Sequence, residues 1–154
     1  MTFSALPRVV LCLMMATASI SAAQKPKAAT AAAVEGKVYL TPTCGCCGKW
    51  VEHMNASGFK LTREVTSDMS TVAAHRKVPE SLHSCHTAVI GQYVIEGHVP
   101  ADLIKKLLKE QPKVVGLSAP GMPAGSPGMD VPNSPSYPIV AFRADGTTYE
   151  FARR

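Results

Sequence analysis

The spacing of apolar residues changes period several times along the chain, and each change predicts an element. Cys47, Trp50, Val51 and Met54 recur at i, i+3, i+4 and i+7, one face of a helix over Cys47–Ser57, with Gly58 as its stop. The apolar run Val38-Tyr39-Leu40 ahead of it predicts a strand over Lys37–Leu40. Residues 61–66 alternate as a half-buried strand. Ser67 or Asp68 can then cap a short helix that turns Met69, Val72 and Ala73 inward, and Pro79 ends that region. Thr87–Ile90 and Tyr93–Glu96 are β-prone runs around Gly91-Gln92, a hairpin with glycine in the first turn position. Pro100 and Asp102 open a helix whose buried stripe is Leu103, Ile104, Leu107 and Leu108, and Pro112 stops it. Near the end, Ile139–Phe142 and Thr147–Phe151 flank Asp145-Gly146, a two-residue hairpin signal that can add to a sheet edge.

The order β-α-β-α-β-β-α is that of an α/β, thioredoxin-like domain: a central mixed sheet with helices on both sides. Between Pro120 and Pro138 the composition shifts, and six of the 12 prolines fall there. Neither a helix nor a central strand tolerates that density, so this is a long Pro/Gly/Met loop ahead of the C-terminal hairpin. Pro-Gly-Met occurs in it twice, at 120–122 and 127–129.

The N-terminal segment alters the size of the folded part. Arg8 gives a short positive region, Val9–Ala16 an apolar core too short to span a bilayer, and Ser21-Ala22-Ala23 a small-residue cleavage site. Residues 1–23 therefore read as a cleaved secretory signal peptide, and 24–36 as a flexible leader. The domain is 37–154, periplasmic, with no stable membrane anchor after cleavage. Without Arg8 the balance is 15 Lys+Arg against 11 Asp+Glu. Those positive charges are scattered and not interleaved with aromatics, which excludes a nucleic-acid surface.

Four cysteines remain in the mature chain: Cys44, Cys46, Cys47 and Cys85. Two structural disulfides would suit an even count in an exported protein, but neighbouring cysteines bridge each other only with strain. The first three sit where a strand hands over to a helix N-terminus, where free N–H groups and the helix dipole favour thiolate. Cys44-x-x-Cys47 is also the redox dithiol spacing of the thioredoxin-like fold. In that fold the loop carrying Cys85 lies beside the first helix, so a four-thiolate pocket is expected. One zinc ion takes a single tetrahedron, at which adjacent Cys46 and Cys47 do not easily aim together, whereas they can bridge ions of a multinuclear cluster. Soft thiolates select Cu(I), zinc or iron–sulfur clusters. Iron–sulfur proteins normally leave the cell by the twin-arginine route, and this signal has no twin arginine. Copper, as Cu(I), is the expected ion, ahead of zinc. Met122 and Met129 in the proline-fixed loop, together with His86 and His98, are further candidates as ligands or as partners of ligands. His53 and His75 are weaker candidates, and Met54 and Met69 belong to helix faces.

Cys44-Gly-Cys-Cys-Gly-Lys-Trp50, Ser84-Cys-His-Thr87, Tyr93-Val-Ile-Glu-Gly-His-Val-Pro100 and the paired Pro-Gly-Met segments at 120–129, in this order, resemble the CopG-like periplasmic copper-resistance proteins. This family has been described as domain of unknown function 411, and it is distinct from the ribbon–helix–helix repressors that share the CopG name. The resemblance spans about residues 37–154. It implies a thioredoxin-like fold, a role in copper resistance, and a cysteine site that binds copper and can form a Cu(I) cluster that cycles redox state. The matching positions are Cys44, Cys46, Cys47 and Cys85. Gln92 stands where a glycine is expected, which concerns only the hairpin.

Two functions compete on these residues. One is copper binding in resistance and homeostasis, with copper ions and other periplasmic copper-handling or redox proteins as partners. The alternative is a periplasmic thiol–disulfide oxidoreductase with Cys44 as nucleophile and Cys47 as resolving thiol. It leaves Cys46 and Cys85 without a role. If the site is redox-active, Cys44 and Cys47 are its catalytic pair. A zinc or storage module is a third, weaker reading.

Overall fold

The computed structural model describes residues 1, 2 and 32–154. Beyond Met1 and Thr2, the expected signal peptide and the leader up to residue 31 lie outside the described residues. Among the described residues no helix is long and apolar enough to cross a membrane.

Among the described residues, seven strands and three helices follow one another as β1 (Val34–Leu40), α1 (Gly45–Ala56), β2 (Phe59–Val65), α2 (Met69–His75), β3 (His86–Ile90), β4 (Tyr93–Glu96), α3 (Ala101–Glu110), β5 (Gly116–Ser118), β6 (Pro138–Phe142) and β7 (Thr148–Arg153). The strands form one sheet in the order β2-β1-β3-β4-β5-β6-β7. β1 pairs with β2 in parallel and with β3 antiparallel. β3 and β4 form the expected hairpin, and Gly91 takes φ +59° in its turn. The half-sheet β2-β1-β3-β4 has the layout expected of a thioredoxin-like arrangement.

Strand alternation assigns the two faces. Val38, Leu40, Ala88, Ile90, Tyr93, Ile95, Ile139 and Ala141 share one core with Trp50, Val51 and Met54 of α1 and Leu103, Ile104 and Leu107 of α3. Val94 and Phe142 point the other way and pack with Ala73 of α2, Val78, and Leu82 of a short 3-10 turn at Glu80–Leu82. Helices thus cover both faces, α1 and α3 on one and α2 on the other. Asp68 caps α2 by accepting from the Thr71 N–H at 3.0 Å, as its sequence suggests. Met69 and Ala73 are buried there, while Val72 is half-buried.

Four local expectations change. β1 starts at Val34, three residues ahead of the expected strand, because Val34–Gly36 pair with Phe59–Leu61. α1 starts two residues early, at Gly45, because Cys44 is already its N-cap. The C-terminal turn has three residues: Arg143 N–H donates to Thr147 O at 2.9 Å, and Gly146 sits at φ +83°. β5 comes from a stretch with no strand signal. It lies between β4 and β6, and a Cβ on Gly116 would stand 1.8 Å from the Val94 carbonyl oxygen, so only glycine permits this approach.

Candidate metal centre

β1 ends at Leu40, and the chain turns through Thr41–Thr43 into α1. Cys44 is the N-cap, its Sγ accepting from the Cys47 N–H at 3.3 Å. Thiol chemistry and helix capping therefore fall on one residue. The loop before β3 is tied to this turn, since Thr41 N–H donates to the Cys85 carbonyl at 3.3 Å. Glu96 of β4 secures the loop from the other side: its buried carboxylate accepts from Ser84 N–H at 2.6 Å and from the Thr87 hydroxyl at 2.7 Å. Burial raises the Glu96 pKa, and these two donors act against that rise.

A disulfide joins Cys44 and Cys47. Cys85 Sγ lies 3.0 Å from Cys44 Sγ and 3.2 Å from Cys47 Sγ, and Cys46 Sγ lies 3.4 Å from Cys44 Sγ. All four sulfurs are within 4.8 Å of one another. A tetrahedral ion with metal–sulfur bonds of about 2.3 Å has ligands about 3.8 Å apart. Four sulfurs this close are within reach of a shared ion or cluster once the Cys44–Cys47 bond is opened, since the bonded pair stands closer than two ligands of one ion. Cys47 is buried and the other three are half-buried. Cys85 lacks the helix-terminal setting that favours thiolate in the other three. It is not on the helix, and burial, followed by the neighbouring Cys46, pushes its pKa up to about 11. A metal ion must displace its proton.

The Pro/Gly/Met loop reaches this pocket twice. Its first Pro-Gly-Met brings Met122 Sδ to 3.3 Å from Cys85 Sγ. Its second lays backbone on the first turns of α1: at Gly128, φ +88°, a Cβ would stand 2.8 Å from Trp50 N and 2.9 Å from Cys46 O. Met129 is half-buried and makes no such sulfur contact.

Strand alternation alone does not separate His86 from Cys85, because Cys85 precedes β3 and His86 is its first residue. His86 lies on the α1 face, its ring 4.5 Å from Trp50 and 5.2 Å from His98. Trp50 is held by donating from its indole nitrogen to Val99 O at 2.9 Å. Both histidines are fully buried, and a ligand atom of each lies within 4.8 Å of the other and of Cys47 Sγ. Burial lowers both pKa values, His86 to about 3 with a further push from His98, so both rings are neutral at neutral pH. The remaining histidines have other partners or positions. His53 Nε2 accepts from Ala101 N–H at 3.3 Å, His83 Nε2 lies 3.1 Å from Val78 O, and His75 is exposed at the end of α2.

Two solved structures, titled "Copper resistance protein copG- Form 1" and "Form 2", are similar to this chain at 41% identity and a TM-score of 0.74, covering 79% of this chain and 98% of theirs. The chain belongs to the CopG-like copper-resistance family. A family model described as "Protein of unknown function, DUF411" matches residues 82–129. No curated protein matches. The matched segment of the CopG-like chain holds Cys85, His86, His98, Met122 and Met129, and stops short of the 44–47 turn that completes the site.

Two residues that matter here were not singled out from the sequence: Glu96 and, beyond its core role, Trp50. A carboxylate ending a wholly buried strand was the available signal for Glu96. For Trp50 no signal exists, because its partners His86 and Val99 are distant in sequence.

Proposed function

We propose that this is an exported, periplasmic copper-binding protein of copper resistance and homeostasis, holding Cu(I) through the thiolates of Cys44, Cys46, Cys47 and Cys85. The observation that carries this reading is the convergence of four cysteine sulfurs from the N-terminal turn of α1 and the loop before β3, beside the sulfur of Met122. Such a donor set is soft throughout and suits Cu(I). The titles of the two similar structures point the same way. Met122 serves as a thioether at the mouth. The Cys44–Cys47 disulfide supports a cycle in which two electrons and two protons from a periplasmic redox partner open the bond, after which copper displaces the thiol protons. The test is copper stoichiometry in single Cys→Ser variants of the reduced protein. Each loss is expected to lower the copper bound per chain, and full loading of Cys46→Ser would sink the four-thiolate site.

The same disulfide favours a second reading, thiol–disulfide exchange with Cys44 as nucleophile. It requires insulin-reduction turnover by metal-free protein that survives both Cys46→Ser and Cys85→Ser.

A further inference from the structure

His86 and His98 are fully buried, and neither ring makes a well-formed hydrogen bond: the nearest backbone acceptors, at Gly97 for His86 and Pro127 for His98, interact only weakly. A neutral imidazole carries one N–H donor and one bare acceptor; a backbone carbonyl can serve only the donor, so each ring keeps an acceptor nitrogen without a partner in the core. Each such group is costly to leave unpaired away from water, whereas phenyl rings of similar shape would pack there without that cost. Mere packing does not account for two adjacent imidazoles. Their nearest reactive neighbour is Cys47 Sγ, and donor atoms of the three residues lie within 4.8 Å of one another. One thiolate with two imidazoles is a trigonal donor set that suits copper. Neutral imidazole is the form that binds metal.

We propose that Cys47, His86 and His98 form a second, buried copper site, distinct from the four-thiol pocket but sharing Cys47 with it, which becomes available when the Cys44–Cys47 disulfide is reduced. All three donors are closed to solvent, while Cys44, Cys46 and Cys85 border it. An ion therefore reaches the triad by way of the thiol pocket. The proposal rests on copper as the cargo but not on the four-thiolate geometry.

The test is copper X-ray absorption on the reduced, Cu(I)-loaded protein, with copper counted per chain. Wild type is expected to show imidazole nitrogen as well as sulfur around copper. His86→Phe and His98→Phe should each lose one copper per chain and the nitrogen scattering, with thermal unfolding confirming that they fold. Cys46→Ser, outside the triad, should keep nitrogen-bound copper while losing copper bound by sulfur alone. Sulfur-only scattering in wild type, which needs no variant, would overturn the buried site, as would unchanged copper content in folded His→Phe variants. A thiolate pocket that fails by itself would leave nitrogen-bound copper in wild type and in Cys46→Ser alike.

Discussion

Cys47 stands between two groups of donors that differ in nearly every physical respect. Toward solvent lie Cys44, Cys46, Cys85 and Met122: all sulfur, half-buried or exposed, carried on the start of α1 and on two loops, and in contact with one another. Toward the core lie His86 and His98: nitrogen donors, fully buried, with His86 tilted against Trp50 on one side and His98 on the other, and neither ring well hydrogen-bonded. The outer group can exchange protons, electrons and ions with its surroundings. The inner one can only wait for an ion. A site that must capture a soft metal benefits from the first arrangement, and one that must retain it benefits from the second.

The sharpest way to break this comparison is to remove the residue common to both groups. Cys47→Ser is expected to lose more copper per chain than Cys46→Ser, because it takes a ligand from each group. Equal losses, measured by metal analysis of reduced protein, would mean that only the outer group binds.

Next in size is the loop that covers the outer group. Gly128→Ala would force an unfavourable φ and a clash with the backbone of α1, with an expected cost of about 1–3 kcal/mol in urea unfolding. An unchanged midpoint would show that the loop does not pack on α1.

The two groups should also respond to opposite ends of the pH scale. The His86 pKa is lowered to about 3, so between that value and the ordinary value of 6.5 the unfolded chain binds more protons than the folded one. Metal-free protein should therefore lose stability as pH falls through this window, and His86→Phe should flatten the loss. The Cys85 pKa is raised from 9.0 to about 11, so the folded chain holds its proton longer, and stability falls as pH rises across that interval. Unfolding midpoints across pH check both limbs. The smallest effect is expected from Met122→Leu: copper affinity weakened by less than about tenfold, or 1.4 kcal/mol, with unchanged stoichiometry in chelator competition.

Much of this was legible in the residues. The stripe Cys47, Trp50, Val51, Met54 fixed α1, and Asp68 capped α2, because local periodicity and capping decide those elements. The meeting of Cys85 with the 44–47 turn followed from element order alone. What escaped depends on neighbours far along the chain. β5 is three residues long, and its glycine is there for the Val94 backbone rather than for any propensity of its own. The early part of β1 exists through pairing with β2. His86 and His98 come together because β3 and β4 are antiparallel neighbours: Thr87 opposes Glu96, and Gly97 N–H donates to His86 O at 3.2 Å. The turn at Gly91-Gln92 announces that register, but not that both imidazoles meet Cys47 of α1, so Cys47 looked like a member of one group rather than two.

The most direct measurement is an anaerobic Cu(I) titration of the reduced protein against a competing chelator, with zinc in parallel. Several Cu(I) bound tightly per chain, and not displaced by zinc, is the outcome expected of thiolates and imidazoles gathered around Cys47. Weak binding, or a single ion that zinc replaces, would contradict a copper site of this design and leave disulfide exchange at Cys44 and Cys47 as the function to pursue.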